Sequence, residues 1–246
     1  MKTINSTHYL IDISISKKNV PTGYPYSLPV VKNLSKLIFH PKITFLVGEN
    51  GAGKSTLLES IAISMGFNAE GVTKNFNFET KATHSELYKY IKVTKGITLP
   101  KDGFFLRAET FYNVATEIEE LNRYSPPMLS YGNKSLHEQS HGESFISLIE
   151  NRFKGNGVYI LDEPEAALSP SNQFKLLVLL HKLVKKNSQF IIATHSPIIM
   201  GYPDADIYNI DEDSVKKINY EDTKHYQLTR YFLNNRSKVL NELFKE

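Results

Sequence analysis

The segment Gly48-Glu49-Asn50-Gly51-Ala52-Gly53-Lys54-Ser55-Thr56 places glycines where a chain must turn tightly and a lysine and a hydroxyl directly after them. Glycines let backbone N–H groups converge on phosphate oxygens, Lys54 adds a positive charge there, and the Ser55 hydroxyl suits a Mg²⁺ ion. A second group is Asp162-Glu163, which follows the apolar run Val158-Tyr159-Ile160-Leu161. Adjacent carboxylates with different neighbours can divide their work: Asp162 beside a cation stays ionised within a metal shell, and Glu163 facing a terminal phosphate polarises a water. The third group is Thr194-His195-Ser196-Pro197, where His195 ends another apolar run and is placed to hold a phosphate or the attacking water. The chemistry these groups share is phosphoryl transfer to water, with Glu163, His195 and Lys54 as its catalytic candidates.

Such groups act together only if something aligns them, and the runs that precede them suggest what does. Lys42 to Val47, Gly157 to Leu161 and Gln189 to Thr194 are short, continuous and rich in β-branched or aromatic residues, as buried parallel strands are. Lys54 to Met65 reads as a helix opening on the glycine loop, whose N-terminus favours anions. Ser169-Pro170 supplies an N-cap and a first-turn proline for a helix to about Lys186. Strands alternating with helices imply an α/β fold whose ligands sit at the carboxyl ends of a parallel sheet.

The region from about Asn75 to Leu106 reads as antiparallel, with Phe76 and Phe78 alternating with asparagines and Phe104-Phe105-Leu106 following the turn signal Lys101-Asp102-Gly103. Phe111, Val114, Ala115, Ile118 and Leu121 have helical spacing and suggest a helical lobe beside the sheet. The tail from Thr223 to Phe244 is amphipathic and reads as a helix pair packed on the core in preference to a partner-binding tail.

The 246 residues, 41% hydrophobic and 22% charged, have the makeup of a folded chain, and no repeat or linker divides it, so one domain over 1–246 is expected. A formal charge of +3 gives little reason to infer nucleic acid. The chain has no cysteine, which excludes disulfides and thiolate metal sites. Its apolar runs, such as Leu176 to Leu180, fall far short of the roughly 20 residues that span a bilayer, and its polar start lacks a signal-peptide core, so it reads as cytoplasmic.

Taken together, these motifs resemble the ATP-binding-cassette (ABC) ATPase superfamily. Ser140-His141-Gly142-Glu143-Ser144 looks like its signature motif, and Ala167-Leu168-Ser169-Pro170 like the loop that crosses its dimer interface. The resemblance runs from Phe45 to Pro197 and implies a phosphate-loop nucleotidase with a parallel core sheet, an antiparallel β portion and a helical lobe at about 110–152. It also implies ATP and Mg²⁺ as cofactors, and an ATP-dependent homodimer in which Ser140, Gly142 and Glu143 of one copy meet the nucleotide of the other.

In such proteins a glutamine contacts the metal after an antiparallel strand. It is missing from Phe104 to Phe111, and Glu109 is the nearest candidate, equally readable as a helix N-terminal carboxylate. Tyr24 and Tyr26 precede the phosphate loop at a distance suited to stacking on adenine, or simply pack in a loop. The wording of the motifs is similar to the soluble ATPases related to the recombination-protein-F and chromosome-maintenance groups, which act on nucleic acid or gate an effector protein. The long coiled-coil arm of the largest members is absent. The rival reading is the ATP-hydrolysing subunit of a transporter.

Overall fold

The computed structural model describes residues 8–16, 21–67, 85–109, 111 and 140–245. Their strands, in chain order, are β1 (Leu10–Ile15), β2 (Lys36–Ile38), β3 (Ile43–Gly48), β4 (Ile91–Lys95), β5 (Asp102–Arg107), β6 (Gly157–Asp162), β7 (Gln189–Ala193), β8 (Ala205–Ile210) and β9 (Val215–Ile218). The α-helices are α1 (Pro29–Asn33), α2 (Lys54–Met65), α3 (His141–Arg152), α4 (Pro170–Lys185), α5 (Pro197–Met200) and α6 (Lys224–Leu243).

The main sheet has the order β5-β6-β7-β3-β8-β9 and is parallel except for its last pair. Side chains alternate across it with period two and feed two separate cores. Phe45, Tyr159, Leu161, Phe190 and Ile192 join Phe145, Leu176 and Leu180 of α3 and α4 on one face. Leu46, Val158, Ile160 and Ile191 join Leu57, Leu58 and Ile61 of α2 on the other. Both faces are covered, which is why these strands read as unbroken apolar runs.

A small antiparallel sheet, β2-β1-β4, lies on the α2 side. Gln189 fastens it to the main sheet. Its fully buried amide accepts from Tyr9 N–H (3.1 Å) and Leu10 N–H (2.8 Å) and donates to the carbonyls of Leu10 (2.8 Å) and His40 (3.0 Å).

Two sequence expectations need correction. Phe104-Phe105-Leu106 is not antiparallel: β5 is the parallel edge strand of the main sheet, with Phe104 and Leu106 in one core and Phe105 in the other. The antiparallel sheet is built from β4 and two strands nearer the N-terminus, while Phe76 and Phe78 lie outside the described residues. The tail is not packed on the core either. α6 leaves helical geometry at Asn235, as a helix pair would, but none of its side chains is buried, and Leu228, Tyr231 and Leu233 are exposed. Spacing gives a helix its apolar stripe; it does not say what covers the stripe. Of the expected lobe at about 110–152, α3 and Phe111 are described, with Phe111 packed on the rings of His141 and Phe145. Val114, Ala115, Ile118 and Leu121 lie outside the described residues.

Candidate functional site

The centre of the sheet delivers its groups at one edge, because β3, β6 and β7 are adjacent, parallel and end together. From β3 the chain enters the loop Gly48 to Gly53 and then α2. Gly53 has φ +93°, and a Cβ there would stand 2.7 Å from Val30 Cγ1, so glycine is required on both counts. Ala52 is buried, and its carbonyl accepts from Val30 N–H (3.1 Å), while Glu49, Asn50 and Gly51 are exposed at the loop's crest. Lys54 is 4% exposed, and its ammonium folds back to donate to the carbonyls of Gly48 (2.8 Å) and Glu49 (3.0 Å), which curls the loop around it. Burial lowers its pKa, and the carboxylates of Glu163, Asp162, Glu165 and Glu49 oppose that. A buried ammonium behind a glycine loop at the start of a helix suits a polyanion.

Ser55, one residue on, donates to Asp162 Oδ1 (3.0 Å). Thr56, next in α2, uses its carbonyl to accept from the Ser60 hydroxyl (2.7 Å). Burial pushes the Asp162 carboxyl up to about 6, even though Arg107 and Ser55 pull it down. An acid this poorly solvated gains from a nearby cation. Among the described residues no three His, Cys, Asp or Glu side chains cluster as a metal cage. A Ser–Asp pair that leaves most positions to phosphate oxygens and water fits Mg²⁺ better than a metal that demands a full protein shell.

Glu163 follows directly, with φ +49° and ψ +51°. Its N–H donates to the Ala193 carbonyl (3.0 Å), fixing it beside the end of β7. His195 Nε2 stands 3.4 Å from Glu163 Oε1, and it is buried without a hydrogen-bond partner among the described residues. An orphaned buried nitrogen beside a carboxylate has room in its bonding for a phosphate oxygen or a water.

Ser140 caps α3 in a reciprocal box: its hydroxyl accepts from Glu143 N–H (3.4 Å) and donates to Glu143 Oε2 (2.7 Å). Both residues are exposed, at the N-terminus of a 12-residue helix. Gly142 lies against the chain that follows Glu163, since a Cβ there would meet the Ala167 carbonyl at 3.0 Å and Asn172 Nδ2 at 2.9 Å.

Residues 132–200 match the AAA ATPase domain family. EcfA2 of Methanospirillum hungatei, an energy-coupling factor transporter ATP-binding protein, is 26% identical over 215 residues, covering 78% of this chain and 51% of that protein. The nucleoside import ATP-binding protein NupA of Lactococcus lactis is 27% identical over 172 residues, covering 63% and 33%. A nucleotide-free ATP-binding cassette from an ABC transporter shares the fold with a TM-score of 0.52 at 17% identity, over 97% of this chain and 100% of that one. The chain is thus similar to ATP-binding subunits of ABC transporters and shares the fold of an ATP-binding cassette. It spans about half of EcfA2 and a third of NupA.

The same edge of the sheet also gathers residues that the sequence does not single out. Arg107 ends β5 opposite Asp162 in register, and its guanidinium donates to Asp162 Oδ2 (3.1 Å) and to Glu59 Oε2 (3.2 Å) of α2. Glu109 sits two residues beyond β5 with an exposed side chain, so the group this strand sends to the Asp162 carboxylate is the arginine. Glu165 accepts from Thr194 Oγ1 (2.8 Å) and from the His195 N–H, gripping the backbone that carries the histidine. Tyr26 is a core residue, edge-on to Tyr90 at 5.1 Å between centroids. Tyr24 is 70% exposed. No helix among the described residues is long and apolar enough to cross a membrane.

Proposed function

We propose that the chain hydrolyses ATP as a nucleotide-dependent dimerisation switch, its site shared between the phosphate loop of one copy and Ser140 to Glu143 of another. The loop from Gly48 to Thr56 and Lys54 hold the phosphates, Ser55 and Asp162 hold Mg²⁺, Glu163 takes a proton from the attacking water, and His195 donates to the terminal phosphate. When bound, Mg²⁺ neutralises charge on the phosphate oxygens. The observation that carries this reading is the pair Glu163–His195, a carboxylate 3.4 Å from a buried, unpartnered imidazole nitrogen, beside a buried lysine.

Support for the shared site is the exposure of Ser140 and Glu143 together with the packing of Gly142 on the segment after Glu163. An exposed helix N-terminus next to that segment is ready to meet a phosphate from outside its own chain. The output is exerted on an effector protein or nucleic acid. A second reading, the ATP-hydrolysing subunit of a transporter, is favoured by the transporter names of the relatives, and a permease that binds this chain would establish it.

Complementation tests the shared site. Ser140→Arg should bind ATP yet neither dimerise nor turn over, and Lys54→Ala should lose nucleotide binding. Mixed, the two should form heterodimers with one complete site and regain part of the lost hydrolysis, less than half if the sites cooperate. A Ser140→Arg protein that hydrolyses ATP like the parent sinks the model and reduces the segment to a helix cap.

A further inference from the structure

α6 has no buried side chain, yet its first turn is pinned to the nucleotide edge of the sheet. Its cap, Thr223, is 1% exposed, accepts from Tyr226 N–H (3.4 Å) and donates to the Tyr220 carbonyl (2.8 Å). Tyr220 in turn donates its hydroxyl to the carbonyl of Pro197, two residues past His195 (2.8 Å). Lys224 reaches Glu49 of the phosphate loop at 3.5 Å. The result is that the rings of His225 and His195 meet edge-on, centroids 4.9 Å apart at 68°, with His225 Nε2 2.9 Å from His195 Nδ1.

A neutral imidazole has one N–H and one bare nitrogen, so the two rings must agree on which of them donates. The far side of His195 shows which arrangement the pair adopts. Glu163 Oε1 stands 3.4 Å from His195 Nε2, and an ionised carboxylate only accepts. A bare Nε2 would press two lone pairs together in a buried spot, so the proton belongs on Nε2 and Nδ1 is left to accept. Resting on the roles proposed above for Glu163 and His195, we infer that His225 is a positioning residue for hydrolysis: its Nε2–H donates to His195 Nδ1 and keeps the His195 proton on Nε2, aimed at Glu163 and the terminal phosphate.

The groups around His225 agree with a neutral donor. Burial lowers its pKa, as do His195, Lys54 and Lys224, against the opposing pull of Glu49. Above neutral pH it therefore offers a single N–H, and the geometry spends it on His195. A partner that fixes tautomer and ring orientation from behind is a familiar arrangement around metal-bound histidines, where its loss costs roughly 10–100-fold in affinity or activity.

The test uses the full chain, labelled with ¹⁵N-histidine and free of nucleotide and Mg²⁺, with His195 resonances assigned through His195→Gln. Two-bond ¹H–¹⁵N spectra of the parent should show His195 as the Nε2–H tautomer alone. His225→Ala and His225→Phe, the second preserving the ring packing, should each mix the tautomers and lower kcat roughly tenfold, the low end expected for an outer partner, with KM for ATP within about twofold. Using both guards against a folding failure of either. His225→Gln, whose amide N–H can replace the donor, should restore the tautomer and bring kcat back to within about threefold of the parent. Parental kcat or an unmixed tautomer in His225→Phe overturns the inference, as does a His225→Gln protein as impaired as His225→Ala. Glu163→Gln, measured alongside, separates this from the underlying reading: it should cut turnover by on the order of 10². A Glu163→Gln protein that hydrolyses at the parental rate sinks the assignment of the base, whereas a dead one beside a fully active His225→Phe sinks only the role of His225.

Discussion

Strands β5 and β6 carry an aspartate network at each end, and the two differ in a telling way. At the start of β5, Asp102 accepts from Arg152 Nη1 (3.0 Å), Lys154 N–H (3.0 Å) and Tyr159 Oη (2.7 Å). Burial pushes its pKa up, but those donors outweigh it and the net shift is downward. At the end of β6, Asp162 accepts from Arg107 and Ser55 and still has its carboxyl pushed up to about 6 by burial. The donors around Asp102 outweigh its burial, whereas Asp162 stays poorly solvated in spite of Arg107 and Ser55. Strongly perturbed groups of the second kind mark sites of function, while the first kind holds a fold together.

Exchanging each carboxylate for its amide should break the comparison cleanly. Asp162→Asn should lower ATP turnover by on the order of 10² while sparing stability, because a poorly solvated charge is removed with the metal site. Asp102→Asn should leave turnover within about twofold of the parent. Its amide would face three donors with an N–H₂ in place of an oxygen, at a cost of about 2 kcal/mol in urea unfolding. An Asp102→Asn protein that is stable and inactive would reverse the two roles.

The pH dependence of stability sharpens the contrast. The folded Asp162 carboxyl, at about 6, lies above its ordinary value of 3.8. Without Mg²⁺ or nucleotide the folded state therefore binds a proton between those values that the unfolded state does not, and Tm should rise as pH falls from about 6 towards 4. Asp102 works the other way, since its pKa is lowered: its contribution is present above 3.8 and is lost as pH falls through its folded value. Asp162→Asn should erase the upper limb alone and Asp102→Asn the lower one, as thermal melts across the range will report. Mg²⁺ with ATP should flatten the upper limb in the parent by holding Asp162 ionised.

The smallest effect belongs to Tyr159→Phe, which deletes one hydroxyl that donates to Asp102 and accepts from Gly155 N–H (3.0 Å). Its aromatic stacking on Phe153 and Phe190 survives, so the loss should be about 1 kcal/mol in urea unfolding with turnover unchanged. A loss of turnover would link the two ends of the strands.

The central strands, α2 and α4 were legible because each carries its own signal: an unbroken apolar run, a glycine loop, or a serine and proline at a helix start. The motif residues that meet at the sheet edge carry such local signals too. Arg107, Glu59, Glu165 and His225 were not legible, because each matters through a partner far along the chain, up to 55 residues away for Arg107 and Asp162. Only the register of β5 on β6 reveals that pair. The direction of β5 is hidden for a related reason, since an aromatic run after a turn is compatible with either strand direction. The exposure of the tail is hidden because a helix's apolar face is local while its burial is not.

Among the described non-glycine residues with positive φ, three are Asn156, Asn187 and Asp204, types that tolerate a left-handed backbone; the fourth is Glu163. Its longer side chain gains no such local relief, so the conformation costs on the order of 1 kcal/mol that glycine would not incur. A glycine here would remove that cost, so on the role proposed for Glu163 the exchange Glu163→Gly trades turnover for a sturdier fold, and position 163 is where durability and the proposed chemistry pull in opposite directions.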